Sequence, residues 1–238
     1  MNYYIIAAGS GSRLVGDGIA VPKPLVDLCG QPAVGRLAEI FAASCAHRIA
    51  VIVNESMPEV ARYLNGFKTQ NNCALKVVVK NTPSSMHSLA EIVRAVPPVG
   101  KFVVTTVDTV FDPAVFAHYV TAFQDAPAEV DGLMGVTTFV DDEKPLYVST
   151  RDDGTISGFH DRISGAASYV SAGVYGLTPA VLPILENSLK AGMSRMRNFQ
   201  RELLRAGFNL KAFDLGKVVD IDHASDIETA RQLISVHN

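Results

Sequence analysis

The chain has 238 residues, a formal net charge of −3 at pH 7 and 48% hydrophobic residues. This length is enough to bury a large core, and the charge gives no general electrostatic reason to expect nucleic acid as a partner. No signal peptide or membrane-spanning apolar run is evident, so the sequence favours a cytoplasmic protein without a membrane partner. The three cysteines lack the spacing of a disulfide framework or a zinc site, so we expect them to be buried and unbonded.

Apolar runs and segments of helical periodicity alternate along the first 130 residues. The apolar runs predict strands at 3–8, 48–53, 75–79 and 102–107, and the periodic segments predict helices at 34–44, 58–64, 85–96 and 113–123. Repeated strand–helix units of this length are typical of an α/β fold with a doubly wound, mostly parallel sheet. The continuous apolar strands indicate that helices cover both faces of that sheet.

The pattern changes after about residue 131. Short strands are predicted at 132–139, 145–150, 154–160 and 168–175, with the DDG of 152–154 as a hairpin turn. Further helices are predicted at 179–190 and 196–206, then a strand at 210–215 and a last helix at 225–235 capped by Ser225. Since no internal repeat or linker appears, we expect a single domain over 1–238 with two halves, 1–130 and 131–238.

A glycine-rich loop, AAGSGSRLVGDGIAVPKPL at 7–25, follows the first predicted strand. It is not a P-loop, because Asp17 stands where that motif requires lysine. A dinucleotide fingerprint begins with Gly9 and Gly11, but Leu14 occupies the position of the third glycine. Two further glycines and two prolines follow, so no helix is expected to start there, which disfavours a nicotinamide or flavin site.

What remains is a long loop whose backbone amides can wrap a polyphosphate. Its small residues allow the backbone to approach a ligand closely. The candidate phosphate-binding positions of the loop are Ala8, Gly9, Ser10, Gly11 and Ser12. Arg13 can clamp a phosphate in a bidentate manner, and Lys23, between two prolines, provides a restricted point charge.

The arrangement Gly9-x-Gly11-x-Arg13-Leu14, followed by Pro22-Lys23-Pro24-Leu25 and Gly30-x-Pro32, closely resembles the signature of sugar-phosphate nucleotidyltransferases (NDP-sugar pyrophosphorylases) and their choline-phosphate cytidylyltransferase relatives. The resemblance implies a Rossmann-like, GT-A-like nucleotidyltransferase fold with three α/β/α layers. It also implies that the loop holds the triphosphate of an NTP, with Arg13 and Lys23 as catalytic residues. The half 1–130 would bind the nucleotide, and the half 131–238 would bind the acceptor.

The resemblance further implies a Mg²⁺ site. Asp108 follows the predicted strand 102–107, where the family places a magnesium-binding aspartate, although Val107 replaces the usual preceding glycine. Segment 218–226 resembles the family's closing W-x-D-I-D-T-P-E-D pattern without its tryptophan, which makes Asp220 the second metal ligand. Asp222 would lie on the same face of the strand, either as a supporting partner of that site or as a turn-stabilising aspartate.

The family reads the nucleotide base between a strand and a helix, where this chain has 81–89. Thr82, Ser85 and Ser88 are the candidates for this role, and a helix cap by Ser84 or Ser85 is the alternative. For the acceptor, Arg162 substitutes for the lysine of the family's E-K-P turn. Gly173 comes from Ser171-Ala172-Gly173-Val174-Tyr175, which resembles the family's N-A-G-I-Y strand.

These features together predict a Mg²⁺-dependent enzyme that transfers an NMP from an NTP to a sugar 1-phosphate or another phosphate monoester and releases pyrophosphate. One alternative is a nucleotide-sugar glycosyltransferase, although Asp108-Thr109-Val110 does not supply its usual DxD motif. Another is a non-catalytic module that senses nucleotides or sugar phosphates. The base, the acceptor and the oligomeric state, including a homo-oligomer, stay open.

Overall fold

The computed structural model describes residues 1–140, 144–163 and 167–236. In the first half, β1 (Asn2–Ala7) leads into the one-turn helix α1 (Ser12–Gly16) and a small hairpin of β2 (Asp27–Leu28) and β3 (Gln31–Pro32). The remaining elements of this half are α2 (Ala33–Ala43), β4 (Arg48–Val53), α3 (Pro58–Gly66), β5 (Leu75–Val79), α4 (Ser85–Ala95), β6 (Phe102–Thr106), β7 (Thr109–Val110) and α5 (Pro113–Asp125).

The second half opens with four strands and then mixes helices with short strands. Its elements are β8 (Gly132–Thr137), β9 (Tyr147–Thr150), β10 (Ile156–His160), β11 (Ala167–Leu177), α6 (Leu182–Lys190), α7 (Met196–Arg205), β12 (Leu210–Asp214), β13 (Val219–Asp220) and α8 (Ala224–Val236). Two 3₁₀ turns, Lys23–Leu25 and Pro179–Val181, complete the described secondary structure.

The central sheet has the strand order β10-β9-β11-β6-β1-β4-β5, with β8 paired to β11 and β12 paired to β8. Strands β6, β1, β4 and β5 run parallel to one another, whereas β11 is antiparallel to β6, β8 and β9. The chain runs from β1 outward to β4 and β5, then returns as β6 on the other side of β1. This reversal opens a crevice beyond the carboxyl ends of β1 and β6, where ligands bind in α/β sheets.

Two apolar clusters, one on each face of the sheet, form most of the core. Alternation along β1 sends Tyr4 and Ile6 to the face covered by α4, α6 and α7, and Tyr3 and Ile5 to the face covered by α2, α3 and α5. A third cluster packs α8 against the β2–β3 hairpin. The predicted α/β fold with a mixed sheet between two helical layers is confirmed.

Two local expectations are wrong, one about α8 and one about the cysteines. Helix α1 begins at Ser12 and ends at Gly16, and no described α-helix begins between Leu14 and the prolines, as expected. Helix α8 begins at Ala224, whose backbone N–H donates to Asp17 Oδ2 at 2.9 Å, so a side chain from the loop takes the role expected of Ser225. The cysteines are not buried.

Cys29 and Cys45 are exposed, and Cys73 is partly exposed. The first two adopt φ values of 57° and 55°, left-handed conformations typical of surface turns. Turn geometry therefore decides their exposure in place of the usual tendency of free cysteine to be buried. No helix within the described residues is long and apolar enough to cross a membrane.

Candidate active site

The site forms where three loops meet at the carboxyl edge of the sheet. The loop after β1 carries the glycine-rich sequence, the loop after β5 leads into α4, and Asp108 follows β6. Because β1 and β6 are neighbours in register, their carboxyl ends place the first and third of these loops side by side. The sheet reversal therefore positions the predicted phosphate loop next to the predicted metal-binding aspartate.

The backbone of the loop requires glycine at one position. Gly11 has φ 61° and lies directly before α1, a left-handed conformation that other residues adopt at a cost. Lys23 follows Pro22 in a tight 3₁₀ turn, closed by a Leu25 N–H bond to the Pro22 carbonyl at 2.8 Å. A Cβ built on Gly11 would lie 3.4 Å from the Lys23 Cβ, so the lysine packs against the loop at this glycine.

Lys23 is the centre of a small ionic network. Its Nζ donates to Asp108 Oδ2 at 2.9 Å and to Asp222 Oδ1 at 2.8 Å. Arg13 forms an ion pair with the other oxygen of Asp222. The side chain of Lys23 is only 12% exposed and that of Asp108 is 25% exposed, so this part of the network is weakly screened by solvent.

The network shifts the pKa values of both central groups in the direction of the charged form. Burial by itself raises the pKa of Asp108, but the nearby Lys23 ammonium outweighs it and leaves that pKa below its usual 3.8. Burial likewise lowers the pKa of Lys23, and the Asp108 and Asp222 carboxylates outweigh it, leaving the pKa above 10.5. The pair is therefore ionised at neutral pH.

Two cavities of similar size open on either side of this network. The β1–α4 cavity, of about 430 Å³, lies between the glycine-rich loop and the start of α4. The β11–α7 cavity, of about 440 Å³, lies between β11 and the start of α7. Both are lined by Gly11, Lys23, Ser85, Thr106 and Asp108. The ionic network therefore stands at the boundary where the cavities meet.

The structure brings most of the predicted nucleotide-binding residues together in the β1–α4 cavity. Seven of them line it: Ala8, Gly9, Ser10, Gly11, Thr82, Ser85 and Ser88. Thr82 Oγ1 and Ser88 Oγ are 2.6 Å apart and form a hydrogen bond. Ser12 and Arg13 face the β11–α7 cavity instead. Asn54, which the sequence gave no reason to select, also lines the first cavity and donates from Nδ2 to the Ala8 carbonyl at 3.2 Å.

The two predicted metal ligands line the β11–α7 cavity. The β7–β13 pairing aligns Asp220 with Thr109, and the Ile221 N–H donates to the Asp108 carbonyl at 3.0 Å, which brings the two aspartates to one place. Among the residues that the structure describes, no group of three or more His, Cys, Asp or Glu side chains is arranged to hold a metal ion. Two carboxylates beside the glycine-rich loop suit Mg²⁺, which commonly uses few protein ligands and completes its shell with phosphate oxygens and water.

The two predicted acceptor residues have different positions. Gly173 lines the β11–α7 cavity and has φ 71°. A Cβ built there would lie 2.5 Å from Thr109 Oγ1, so β11 can approach β7 this closely only because residue 173 is glycine. Arg162 is exposed and does not line either cavity. Its neighbour Asp161 turns toward α7, where it pairs with Arg197 and Arg201.

Several cavity residues were not selected from the sequence. The β11–α7 cavity is also lined by Ser171, Tyr175, Arg195, Arg197 and Gln200. Burial, and after it the neighbouring Asp220, raises the pKa of Tyr175, so its phenol stays protonated. The signal for the arginines was present in the spacing, since 195 and 197 flank the predicted start of a helix, but nothing local showed that this start faces the site.

A model of the MobA-like NTP transferase domain matches residues 3–155, more than half of the chain. The chain belongs to this family. The match runs from β1 to the turn between β9 and β10, and therefore includes the glycine-rich loop, Lys23 and Asp108. The prediction of a nucleotidyltransferase enzyme is confirmed. No curated protein sequence matches this NTP transferase significantly.

Solved structures share the fold of this NTP transferase at low sequence identity. An inositol-1-phosphate CTP transferase from T. maritima aligns with TM-score 0.80 and 21% identity over 98% of this chain and 94% of that chain. A putative glucose-1-phosphate thymidylyltransferase from Bacillus anthracis, in complex with sucrose, aligns with TM-score 0.82 and 18% identity over 98% and 94%. A UDP-glucose pyrophosphorylase complexed with UDP-glucose gives TM-score 0.79 and 15% identity over 100% and 99%.

Proposed function

We propose that this NTP transferase joins the NMP moiety of an NTP to a phosphorylated small-molecule acceptor, such as a sugar 1-phosphate, in a Mg²⁺-dependent reaction that releases pyrophosphate. The observation that carries the proposal is the meeting of two cavities at Lys23 and Asp108. A transfer reaction between two phosphorylated substrates needs such a boundary, because the reacting oxygen and phosphorus must come into contact there.

The β1–α4 cavity suits the nucleotide. Its wall combines the backbone of the glycine-rich loop with the hydroxyl groups of Thr82, Ser85 and Ser88. Backbone amides and hydroxyls can bind phosphate oxygens and a base edge without adding charge of their own. The β11–α7 cavity then takes the acceptor, so the halves 1–130 and 131–238 of one domain would each bind one substrate.

In the proposed reaction, an oxygen of the acceptor phosphate forms a bond to the α-phosphorus of the NTP. The bond from the α-phosphorus to the bridging oxygen breaks, and the electron pair leaves with pyrophosphate. The attacking oxygen is already anionic, so no general base is required. Catalysis then depends on positioning and on the neutralisation of charge.

Lys23 and Arg13 provide the positive charges for this step. Lys23 Nζ lies between the two cavities, where the α-phosphate would sit, and a bound phosphate would compete with Asp108 and Asp222 for its protons. Arg13 is more exposed and lines the β11–α7 cavity, so it would clamp those phosphate oxygens of the triphosphate that reach across the boundary between the cavities. Asp108 and Asp220 would hold Mg²⁺, which neutralises phosphate oxygens when bound.

A sugar phosphate is the first acceptor class to test. The three aligned structures are named as an inositol-1-phosphate CTP transferase, a putative glucose-1-phosphate thymidylyltransferase and a UDP-glucose pyrophosphorylase. Their folds cover almost all of this chain, including the part beyond residue 155 that the family model does not reach. This likeness supports the proposed acceptor class for the β11–α7 cavity.

Pyrophosphate release tests the proposal. CTP, UTP, dTTP, GTP and ATP are each offered with Mg²⁺ and a panel of sugar 1-phosphates, polyol phosphates, phosphocholine and aminoethylphosphonate. We expect release with one donor–acceptor pair, and we expect it to be abolished by Asp108→Asn but not by Asp152→Asn, a matched change in the exposed β9–β10 turn. NTP binding without release across the panel would favour the nucleotide-sensing alternative and contradict the proposal.

A further inference from the structure

Two arginines at the start of α7 give one wall of the β11–α7 cavity a positive charge. Arg195 and Arg197, at the start of α7, line this cavity but not the β1–α4 cavity. Within the described residues, the guanidinium of Arg195 forms no ion pair with a carboxylate. Because Arg195 lines the cavity, its charge is present there without a direct ion pair to another described residue.

Arg197 is held in place by the protein and is only partly neutralised. Its NH1 pairs with Asp161 Oδ1 at 3.0 Å, and its NH2 donates to the Lys144 carbonyl at 2.7 Å. The same Asp161 oxygen also pairs with Arg201 NH2 at 2.7 Å. One carboxylate thus serves two guanidinium groups, so among the described residues the wall keeps a positive charge near Arg197 in addition to that of Arg195.

A buried polar side chain completes this wall. Gln200, one turn of α7 beyond Met196, is 2% exposed and lines the cavity. Its Oε1 accepts a hydrogen bond from Ser171 Oγ at 3.3 Å, which ties α7 to β11. The wall is therefore formed jointly by α7 and β11, and the hydrogen bond between them orients the Gln200 amide and the Ser171 hydroxyl.

The backbone at Arg195 is strained. Arg195 has φ 70° and ψ 139°, a region that residues other than glycine rarely adopt. Its N–H donates to Ser84 Oγ at 3.3 Å, and the Met196 N–H donates to Ser85 Oγ at 3.2 Å. These two bonds from the start of α4 hold the arginine at the cavity in a conformation that its own backbone does not favour.

The reacting end of the cavity has a different charge balance. It carries the cations Arg13 and Lys23 together with three carboxylates, Asp108, Asp220 and Asp222. The cavities meet at Lys23 and Asp108, so the reacting phosphate of the acceptor belongs there, and Arg195 and Arg197 are left for another part of the acceptor. A quaternary ammonium group would suit this wall poorly, because Tyr175 is the one aromatic lining residue within the described chain and two arginines face the space.

We propose that the acceptor carries a second negatively charged group, a carboxylate or a phosphate, which binds Arg195 and Arg197 while its other phosphate reacts. The inference rests on the proposed function for the identity of the acceptor cavity. Paired guanidinium groups suit either anion, since both offer two oxygens to a planar fork of donors. The protein would then select its acceptor by the charge of a group other than the reacting phosphate.

Three ligands with one scaffold test the charge requirement by isothermal titration. Glucose 1-phosphate has a neutral far end, glucuronate 1-phosphate adds a carboxylate, and glucose 1,6-bisphosphate adds a phosphate. We call the two ligands with a second anionic group doubly anionic. For wild-type protein we expect at least one of them to bind about 10- to 100-fold more tightly than glucose 1-phosphate, the range of a hydrogen-bonded charge contact. Glycerol 3-phosphate and 3-phosphoglycerate repeat the comparison on a smaller scaffold, so the result does not depend on the hexose ring.

Two variants assign the effect to the wall. Arg195→Gln is expected to reduce the preference for the doubly anionic ligand to about threefold or less while glucose 1-phosphate binds as before. Arg205→Gln, on the same helix but paired with Glu202 away from the cavity, is expected to keep the wild-type preference. Equal affinities in wild-type protein on both scaffolds, or an equal loss for all ligands in Arg195→Gln, would overturn the inference; the second result would place the reacting phosphate at Arg195.

Pyrophosphate release separates this inference from the proposed function. Turnover that is equally efficient with glucose 1-phosphate and with its doubly anionic relatives would support the function and overturn the charge requirement. Selective binding of the doubly anionic ligands, lost in Arg195→Gln, without release from any NTP would support the charge requirement and contradict the function.

Discussion

The two halves of the chain build their cavities in different ways. In 1–130, parallel strands end at one edge of the sheet, and the cavity wall is largely the backbone of the loop after β1 with small side chains from the loop before α4. In 131–238, the antiparallel strand β11, the start of α7 and β13 each contribute longer side chains. The family model covers all of the first wall but ends before β11.

This difference explains why a sequence motif identifies the first cavity but not the second. A backbone cradle needs particular residues at consecutive positions, such as Gly11 and the loop residues beside it, so it leaves a readable pattern. A wall of side chains needs only that distant segments meet, and many residue types can supply it. The first half is therefore expected to act through common chemistry and the second through selection of the acceptor.

The largest expected effect is at the boundary that both halves share. Lys23→Met removes the cation that contacts Asp108 and Asp222, and kcat should fall about 10²- to 10³-fold, as for other electrostatic stabilisers of a transition state. Steady-state pyrophosphate release measures the change. Lys190→Met, an exposed lysine of α6, is the control and should leave kcat unchanged. A decrease of less than tenfold in Lys23→Met would show that Lys23, where the two cavities meet, does not stabilise the transition state as proposed.

The next effect concerns folding of the acceptor half. Gly173→Ala combines a left-handed φ with a contact to Thr109 Oγ1, and it should lower the free energy of unfolding by about 3 kcal/mol. Gly100→Ala also has a left-handed φ, 75°, but has open space around it, so its cost should be about 1 kcal/mol. Urea denaturation compares them. Equal losses would show that the close approach of β11 to β7 does not limit this position.

A smaller effect of opposite sign is expected at Arg195. Arg195→Gly relieves the backbone strain and should raise the free energy of unfolding by about 1 kcal/mol, whereas Arg195→Gln should leave it unchanged. Both variants lose the guanidinium and should lose the preference for doubly anionic acceptors. If urea denaturation finds the Arg195→Gly protein no more stable than the Arg195→Gln protein, the backbone conformation at this residue does not destabilise the fold.

A change confined to the nucleotide half should affect one substrate. Thr82→Val removes the partner of Ser88 in the β1–α4 cavity, and the KM for the NTP should rise about 2- to 10-fold with an unchanged KM for the acceptor. Thr121→Val, which removes a hydroxyl that donates to the Ala117 carbonyl within α5, provides the matched control. Equal increases in both KM values would show that the cavities do not separate the substrates.

The smallest expected effect is on pH dependence. The pKa of Lys23 lies above 10.5 and that of Asp108 below 3.8, so neither group titrates near neutrality. Between about pH 7 and pH 9, where phosphate monoesters are already ionised, kcat/KM should therefore be constant. A fall of kcat/KM with rising pH in this window would indicate that Lys23 loses its proton there, contrary to the raised pKa.

Much of the fold could be predicted because its signals are local. Strands β4 and β5 begin and end where their apolar runs do, and α5 begins at Pro113, where its helical periodicity begins. Lys23 and Asp108 were identified for the same reason, since each lies in a short segment with an informative pattern. Their contact at 2.9 Å spans 85 residues, and the parallel order of β1 and β6 produces it.

The acceptor wall could not be predicted because its signals are not local. Arg195 reaches the cavity through backbone bonds to serines 111 residues earlier, and nothing around 195 indicates those partners. The start of helix α8 was mispredicted for the same reason, because Asp17 accepts a hydrogen bond from its first N–H across 207 residues. Arg162 was selected from the order of segments along the chain, but the neighbouring Asp161 turns toward α7 and leaves Arg162 in solvent.

The central claim is that both substrates occupy adjoining cavities at once and react directly at Lys23 and Asp108. Initial rates of pyrophosphate release, with the NTP and the best acceptor of the panel varied against each other, test it most directly. Direct transfer predicts double-reciprocal lines that intersect, because the enzyme binds both substrates before any product leaves. Parallel lines would show that the NMP is first transferred to the enzyme and would contradict the account.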